Sequence, residues 1–139
     1  MIKGTRKSML IDANIFLELF LDQEKKDNCR NFLNKTVKGE LNVTVSDFSI
    51  DSIILNMGHN KLETSKIKSF LHKLMSSKGI RIYSVNMTDR LNALNHMKKY
   101  NFDYEDSIIL QSALSTKCKE IVSFDRHFDK VKEIRRIEP

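Results

Sequence analysis

Three aspartates lie at the borders of apolar segments of the chain. Asp12 and Asp125 each end a short apolar run, and Asp106 opens an apolar helical stretch. Carboxylates at two strand ends and one helix start can converge on a single crevice. Carboxylates that lie close together repel one another and raise one another's pKa unless a cation lies between them. The pattern therefore predicts a divalent metal ion and phosphate chemistry.

Each aspartate taken alone also has a purely structural interpretation. Asp12 can end a strand or begin an Asx-turn, Asp106 can cap a helix, and Asp125 can open a turn. The three together, each in a strand or helix context that suits a shared site, favour the functional interpretation.

Short apolar runs alternate with longer segments of helical periodicity, which is typical of βα units around a parallel sheet. We predict strands at residues 8–12, 41–45, 80–84 and 120–124, with a short fifth strand at 133–137. We predict helices at residues 14–21, 25–37, 47–57, 62–75, 88–99 and 104–116. Ser46 or Asp47 is expected to cap the third helix, Gly58 to end it, and Thr88 to cap the fifth.

This order of elements predicts one domain of the α/β class, spanning residues 1–139. We expect a three-layer α/β/α sandwich with a central, mostly parallel sheet of four to five strands. In such sheets, ligands bind outside the carboxyl ends of the strands, at a topological switch point. Asp12 and Asp125 stand at such strand ends.

The three acidic segments resemble motifs of the PIN-domain family, in the same order along the chain. The first reads LIDANIFL at residues 10–17, with an Asn two places after the Asp. The second reads FDYEDSIILQSA at 102–113, with Asp106 in the metal-site position. The third reads IVSFDRHFD at 121–129, a strand that ends in Ser/Thr-x-Asp and is followed by Phe. The resemblance extends from about Ser8 to the last residue.

The resemblance implies a PIN-like fold and a ribonuclease in which Asp12, Asp106 and Asp125 are catalytic and hold Mg²⁺ or Mn²⁺. Clustered carboxylates suit these ions, which prefer oxygen ligands. In such a site the metal activates a water and stabilises charge on the leaving oxygen. Whether one or two ions bind is left open by the sequence.

The resemblance also implies partners. PIN domains are often toxins of the VapC type, paired with an antitoxin protein, and others process or survey RNA. We therefore expect a single-stranded RNA substrate, an antitoxin and a second copy of the chain as candidate partners.

The chain departs from the family pattern after the second strand, where PIN domains place a Glu on the following helix. Our alignment puts Ser52 there, with Asp51 beside it. Neighbouring helical residues point about 100° apart, so Asp51 does not simply replace that Glu. Asp47, Asp103 and Glu105 are alternative sources of the missing charge. Purely structural roles fit the pattern equally well: Asp47 can cap the helix, and Asp51 can be a solvated surface residue.

Four further residues are candidates for supporting roles. Asn14 and Ser123 could orient carboxylates or waters, and their structural alternatives are a helix cap and an ordinary strand residue. Arg126 could contact a phosphate, although solvation at the surface is the more common role. His127 is a weaker candidate for substrate contact.

The net charge of +6 and the pI near 9.3 favour an anionic partner such as nucleic acid. The basic residues are spread along the chain, so a lysine-rich solvated surface explains the charge equally well. The lysines could add affinity for RNA that is independent of sequence and sensitive to salt.

Other features narrow the class of protein. Cys29 and Cys118 are the only cysteines and are expected to be buried free thiols, with a disulfide left open. The four histidines form no zinc-binding pair. No apolar run is long enough to span a membrane, and the basic N-terminus lacks the long apolar segment of a signal peptide. We therefore expect a cytoplasmic protein.

Three alternatives to a ribonuclease follow from parts of the same pattern. A HAD-type phosphatase requires a second Asp at position 14, where this chain has Asn. A phosphoreceiver domain requires an Asp after a central strand, but the third strand leads into Val85-Asn86-Met87. The stronger alternative is a catalytically weak PIN-like module that binds RNA or a protein partner, because the second-motif Glu is absent.

Overall fold

Within residues 8–139, five parallel strands form one sheet. The computed structural model describes residues 8–139, so the basic segment 1–7 lies outside the described residues. The strands are β1 (Met9–Ile11), β2 (Val43–Ser46), β3 (Ile80–Tyr83), β4 (Glu120–Val122) and β5 (Arg135–Ile137). Their order is β3-β2-β1-β4-β5, and every neighbouring pair is parallel. The four predicted strands and the short fifth are confirmed, with ends that shift by at most two residues.

Six α-helices and one 3₁₀ helix connect the strands. They are α1 (Ala13–Phe20), α2 (Lys26–Lys38), α3 (Asp47–His59), α4 (Thr64–Ser76), α5 (Met87–Tyr100), α6 (Tyr104–Ser115) and the 3₁₀ helix Arg126–Lys130. Helix α2 shows why such segments are helical, because its buried residues Cys29, Leu33 and Thr36 recur at helical spacing. It ends at Gly39, whose φ of 83° is a left-handed conformation that glycine adopts without strain.

The sheet lies between two apolar clusters, which makes the α/β/α sandwich that the sequence predicted. Successive side chains of a strand point to opposite faces, and β1 divides its residues accordingly. Ile11 packs into a cluster with residues of α1 to α4, including Phe16, Ile53 and Phe70. Leu10 packs on the other face, in a cluster supplied by α6, the 3₁₀ helix and neighbouring loops. This burial on both faces fixes the strand ends that carry the aspartates.

Three of the predicted helix boundaries are wrong. Thr88 does not cap α5, because the Asn86 side chain accepts the backbone N–H of Asp89 and the two form a capping box. Gly58 does not end α3, which continues to His59. The fourth helix begins at Thr64 rather than at residue 62. Ser46 caps α3 as predicted, by accepting the backbone N–H of Ser49.

Cys29 and Cys118 are both buried free thiols, as predicted. Cys118 lies beyond the end of α6, in the segment before β4. Among residues 8–139, no helix has both the length and the apolar character needed to cross a membrane.

Candidate metal centre

The three aspartates are placed by the carboxyl ends of β1 and β4 and by the start of α6. After β1 the chain continues to β2 and β3 on one side, whereas β4 pairs with β1 on the other side. This is the topological switch point at which open α/β sheets bind ligands. Asp12 follows β1 and donates its backbone N–H to the Val122 carbonyl at 2.9 Å, so the two strand ends are joined here.

Each aspartate also lies at the start of a helix. Asp12 caps α1, and Asp125 caps the 3₁₀ helix by accepting the backbone N–H of His127 at 2.9 Å. Asp106 lies in the first turn of α6, where its own N–H is accepted by the capping residue Asp103 at 2.8 Å. The Asx-turn predicted for Asp12 and the turn predicted for Asp125 are thus confirmed, because each carboxylate accepts the backbone N–H two residues later. The prediction that Asp106 caps a helix is wrong, because Asp103 is the capping residue of α6. These structural roles do not compete with a site, because a helix N-terminus favours a nearby negative charge.

The Ser123 hydroxyl links the first motif to the last. It donates to Oδ2 of Asp12 at 2.6 Å and accepts the backbone N–H of Asp125 at 2.9 Å. It also accepts from Nδ2 of Asn14 at 3.4 Å. Ser123 is fully buried, so its one donor and both acceptor positions are used inside the protein. This hydroxyl therefore orients Asp12 and the Asp125 loop together.

Asp12 is a buried carboxyl with no basic partner among the described ion pairs. Burial raises the pKa of Asp12 to about 7, against the hydrogen bonds from Ser123 and Asn14, which lower it. The nearby charges of Asp106 and Glu105 raise this pKa further. Asp106 and Glu105 are therefore the negative charges that act on the Asp12 carboxyl.

Asp106, Asp125 and His127 form the tightest group of the site. Nδ1 of His127 lies 3.3 Å from Oδ2 of Asp106 and 3.2 Å from Oδ1 of Asp125. One donor atom from each of the three residues lies within 4.8 Å of the others. Burial and the charge of Asp125 raise the pKa of Asp106 to about 6, while the hydrogen bond of His127 lowers it.

The candidates for the missing second-motif charge fall in different places. Ser52 on α3 donates from its hydroxyl to Oε2 of Glu105 at 3.3 Å, which puts Glu105 beside the position of the family's Glu. Asp47 instead accepts the backbone N–H of Val85 at 3.0 Å, at the end of β3. Asp51 is exposed, and no described contact joins it to the three aspartates.

The remaining predicted residues also take distinct places. Asp103 caps α6, and its charge adds to the rise in the pKa of Asp106 that burial and Asp125 cause. Asn14 contacts both Asp12 and Ser123, and its Oδ1 is buried without a hydrogen-bond partner among the described residues. Arg126 is exposed at the start of the 3₁₀ helix, and no described ion pair joins it to the site.

The sequence did not predict the contacts that His127 and Arg136 make in and around the site. His127 was expected at most to contact substrate, but its ring nitrogen lies between two of the carboxylates. Its position in a turn, two residues after Asp125, is the feature of the sequence that could have indicated this contact. Arg136 on β5 was missed because it lies far from the motifs; it donates to the Ser123 carbonyl at 3.1 Å and pairs with Asp129 and Glu138.

The donor set fits a divalent cation. In the part of the chain that the structure describes, no lysine or arginine forms an ion pair with Asp12, Asp106 or Asp125. Carboxylates gathered without a fixed positive charge are stabilised when a metal ion neutralises them. The Asn14 side chain donates to Ser123, which in turn donates to Asp12, and the unpartnered Oδ1 of Asn14 adds a polar atom that a bound water could satisfy.

Solved structures with the same fold come from toxin–antitoxin systems. VapC20 of Mycobacterium tuberculosis, a toxin that cleaves the sarcin–ricin loop, superposes with a TM-score of 0.73 at 12% identity, covering 92% of this chain and 99% of that chain. A toxin–antitoxin complex from Klebsiella pneumoniae gives a TM-score of 0.66 at 15% identity, covering 91% and 95%. VapBC2 of Rickettsia felis, bound to a promoter DNA fragment, gives 0.61 at 15% identity, covering 94% and 97%. At such low identities these similarities establish the fold alone.

Sequence comparison identifies the family. Comparison with curated protein sequences found no significant match. The family model described as "PIN domain", however, matches residues 9–134, which is most of the chain and includes all three acidic motifs. The protein therefore belongs to the PIN-domain family, and its fold is that of the VapC toxins.

Proposed function

We propose that this protein is a metal-dependent endoribonuclease that hydrolyses phosphodiester bonds of single-stranded RNA in the cytoplasm. The observation that carries the proposal is the grouping of Asp106 and Asp125 at the β1–β4 switch point, near enough to Asp12 to raise its pKa, without a lysine or arginine paired to any of the three within residues 8–139. Membership of the PIN family, whose nucleases use divalent metals, supports the assignment. We further propose that residues 1–139 act as one domain.

The three aspartates would hold Mg²⁺ or Mn²⁺, which when bound supplies a water activated for attack and neutralises charge on the phosphate. Asp12 contributes a carboxylate that is buried and oriented by Ser123. Asp106 and Asp125 contribute carboxylates that are positioned at helix starts. Preorganisation of this kind lowers the cost of assembling the charged centre when RNA arrives.

We assign the fourth charge to Glu105. The hydrogen bond from Ser52 and the influence of Glu105 on the pKa of Asp12 support this assignment. Asp47 instead accepts the backbone N–H of Val85 after β3, which favours a structural role for this carboxylate. The charge would thus have moved from α3 to α6, while staying at the same edge of the site.

RNA contacts outside the metal centre would come from basic side chains. Arg126 is exposed beside Asp125 and could donate to a phosphate oxygen. The net charge of +6 supports general attraction to the RNA backbone, which weakens as salt is added.

Cleavage of a mixed single-stranded RNA pool in the presence of Mn²⁺ tests the activity. Wild-type protein should cleave, EDTA should stop the reaction, and Asp12→Asn should slow it by at least about a hundredfold, because a metal ligand is lost. Equal background cleavage by wild type and Asp12→Asn would contradict the proposal. That result would favour the second candidate, a catalytically weak module that binds RNA or a protein, for which Ser52 in place of the family's Glu is the supporting observation.

We also propose that the protein is the toxin of a toxin–antitoxin pair. Its fold matches structures of a toxin–antitoxin complex and of VapBC2, which supports an antitoxin partner. Co-expression with the small protein encoded beside its gene should give a complex that no longer cleaves RNA. A neighbouring region that encodes no small antitoxin-like protein would contradict this assignment.

A homodimer is the third proposed partnership. Met87, Leu91 and Leu94 are all more than half exposed and recur at helical spacing on one face of α5. An exposed apolar face of this kind is typical of a protein interface. Light scattering should give the mass of a dimer for the wild type and of a monomer for Leu91→Glu; a monomeric wild type would contradict the dimer.

A further inference from the structure

The ring of His127 is exposed, and one of its nitrogens contacts two carboxylates of the candidate metal centre. Its Nδ1 lies within 3.3 Å of a carboxylate oxygen of Asp106 and of Asp125. The ring stacks on Phe102 with centroids 6.4 Å apart and an interplanar angle of 29°. The next residue, Phe128, is fully buried and anchors the 3₁₀ helix. In this arrangement the imidazole presents Nδ1 to both carboxylates.

The two separations between Nδ1 of His127 and the carboxylate oxygens suit ligands around one ion. Adjacent ligand atoms at octahedral angles, with bonds of about 2.1 Å, lie about 3 Å apart. The two N–O separations of 3.2 and 3.3 Å are close to this spacing without any movement of the backbone. All three donor atoms also lie within 4.8 Å of one another, so a single ion can reach them together.

We propose that His127 is a metal ligand through Nδ1, and that this nitrogen makes the centre selective for a divalent transition metal, Mn²⁺ of the two candidates, over Mg²⁺. The proposal rests on the proposed function and specifies its metal. Mg²⁺ binds almost exclusively to oxygen and keeps several waters, whereas imidazole suits transition metals. A centre with one nitrogen among carboxylates thus gives up affinity for Mg²⁺ and gains affinity for the transition metal.

Pulsed electron paramagnetic resonance of bound Mn²⁺ detects a nitrogen ligand directly. Wild-type protein loaded with Mn²⁺ should show the hyperfine coupling of a coordinated nitrogen, and labelling histidine with ¹⁵N should change it. The coupling should vanish in His127→Ala and persist in His72→Ala, an exposed histidine on α4 that serves as the matched control. Bound Mn²⁺ with couplings to oxygen ligands only would overturn the proposal, and the wild-type measurement alone suffices to show this.

Competition between Mn²⁺ and Mg²⁺ gives a second measurement. The ratio of the Mn²⁺ affinity to the Mg²⁺ affinity should fall by about tenfold or more in His127→Ala, and should be unchanged in His72→Ala. An unchanged ratio in His127→Ala would overturn the selectivity.

These outcomes separate this inference from the proposed function. If Mn²⁺ binds without nitrogen coupling while the protein still cleaves RNA, the His127 proposal alone fails. If the wild-type protein binds no Mn²⁺, both proposals fail.

Discussion

The Ser123 hydroxyl donates a 2.6 Å hydrogen bond to Oδ2 of Asp12, between residues 111 positions apart in the chain. The same hydroxyl accepts the backbone N–H of Asp125. One buried side chain thus sets the geometry of two of the three aspartates. Its removal should affect metal binding and stability together.

Ser123→Ala should lower the free energy of unfolding by about 1–3 kcal/mol, because a buried N–H and a buried carboxyl each lose a partner. It should also weaken Mn²⁺ binding by about tenfold or more, as loss of a group that orients a ligand does. Urea denaturation and metal titration measure the two effects. Ser123→Thr keeps the hydroxyl and should restore metal affinity; equally weak binding by both variants would show that the hydroxyl has no orienting role.

Asp12 should make the stability of the metal-free protein depend on pH. Its pKa is raised to about 7 in the folded state by burial, from an ordinary value of 3.8. Between these values the folded protein keeps a proton that the unfolded chain has lost. The free energy of unfolding therefore falls as pH rises through this window, and Asp12 accounts for roughly 4 kcal/mol of the fall. The full stability is reached only at pH values below the pKa that Asp12 has in the unfolded chain.

Urea denaturation in EDTA at several values from about pH 4 to about pH 8 measures this slope. Asp12→Asn cannot ionise, so its stability should change less over the same range and should exceed that of wild type at the upper end. Mn²⁺ should restore the wild-type protein there by binding the ionised carboxylate. Parallel stability profiles for the two proteins would show that Asp12 has an ordinary pKa.

The assignment of the fourth charge to Glu105 can be tested by moving the charge. Glu105→Gln should weaken Mn²⁺ binding by about tenfold, whereas Glu24→Gln, at an exposed position on the loop before α2, should have no effect. Ser52→Glu in the Glu105→Gln background returns a carboxylate to the position where the family has it. This double variant should recover the metal affinity, and full affinity of Glu105→Gln alone would exclude Glu105 as the source of the charge.

Asp47 should behave as a structural residue. Asp47→Ala removes the acceptor of the Val85 N–H and an acidic residue from the first turn of α3, so stability should fall by about 1–2 kcal/mol. Metal affinity, measured by titration on the folded variant, should stay within about twofold of wild type, since a supporting ligand would cost more. A loss comparable to that of Glu105→Gln would return Asp47 to the site.

The sequence predicted the fold well because its signals are local. Apolar runs bounded by polar residues located every strand, and the parallel arrangement then follows from the helices between them. The ends of the helices were harder to predict where two neighbouring residues could each act as the cap. Asn86 rather than Thr88 caps α5, because the pairing of Asn86 with Asp89 is a reciprocal contact that neither residue reveals alone.

The site was only partly predictable for a related reason. Asp12, Asp106 and Asp125 could be predicted as site residues because each stands at the edge of an apolar run. Whether Asp47 or Glu105 reaches the site depends on contacts between distant elements, such as Ser52 with Glu105 and Val85 with Asp47. Likewise, no local pattern shows that His127 turns its ring towards Asp106.

The central claim is that Asp12, Asp106 and Asp125 act as one metal-dependent centre for RNA cleavage. The most direct test is the rate of single-stranded RNA cleavage with Mn²⁺ by each single Asn variant and by Asp12→Asn/Asp106→Asn. Asp27→Asn, which alters an exposed carboxylate paired with Arg30 on α2, is the matched control. We predict that each single change slows cleavage by at least about a hundredfold, that the double variant is no slower than the singles, and that the control keeps the wild-type rate. Wild-type cleavage by any one of the three single variants would contradict the claim.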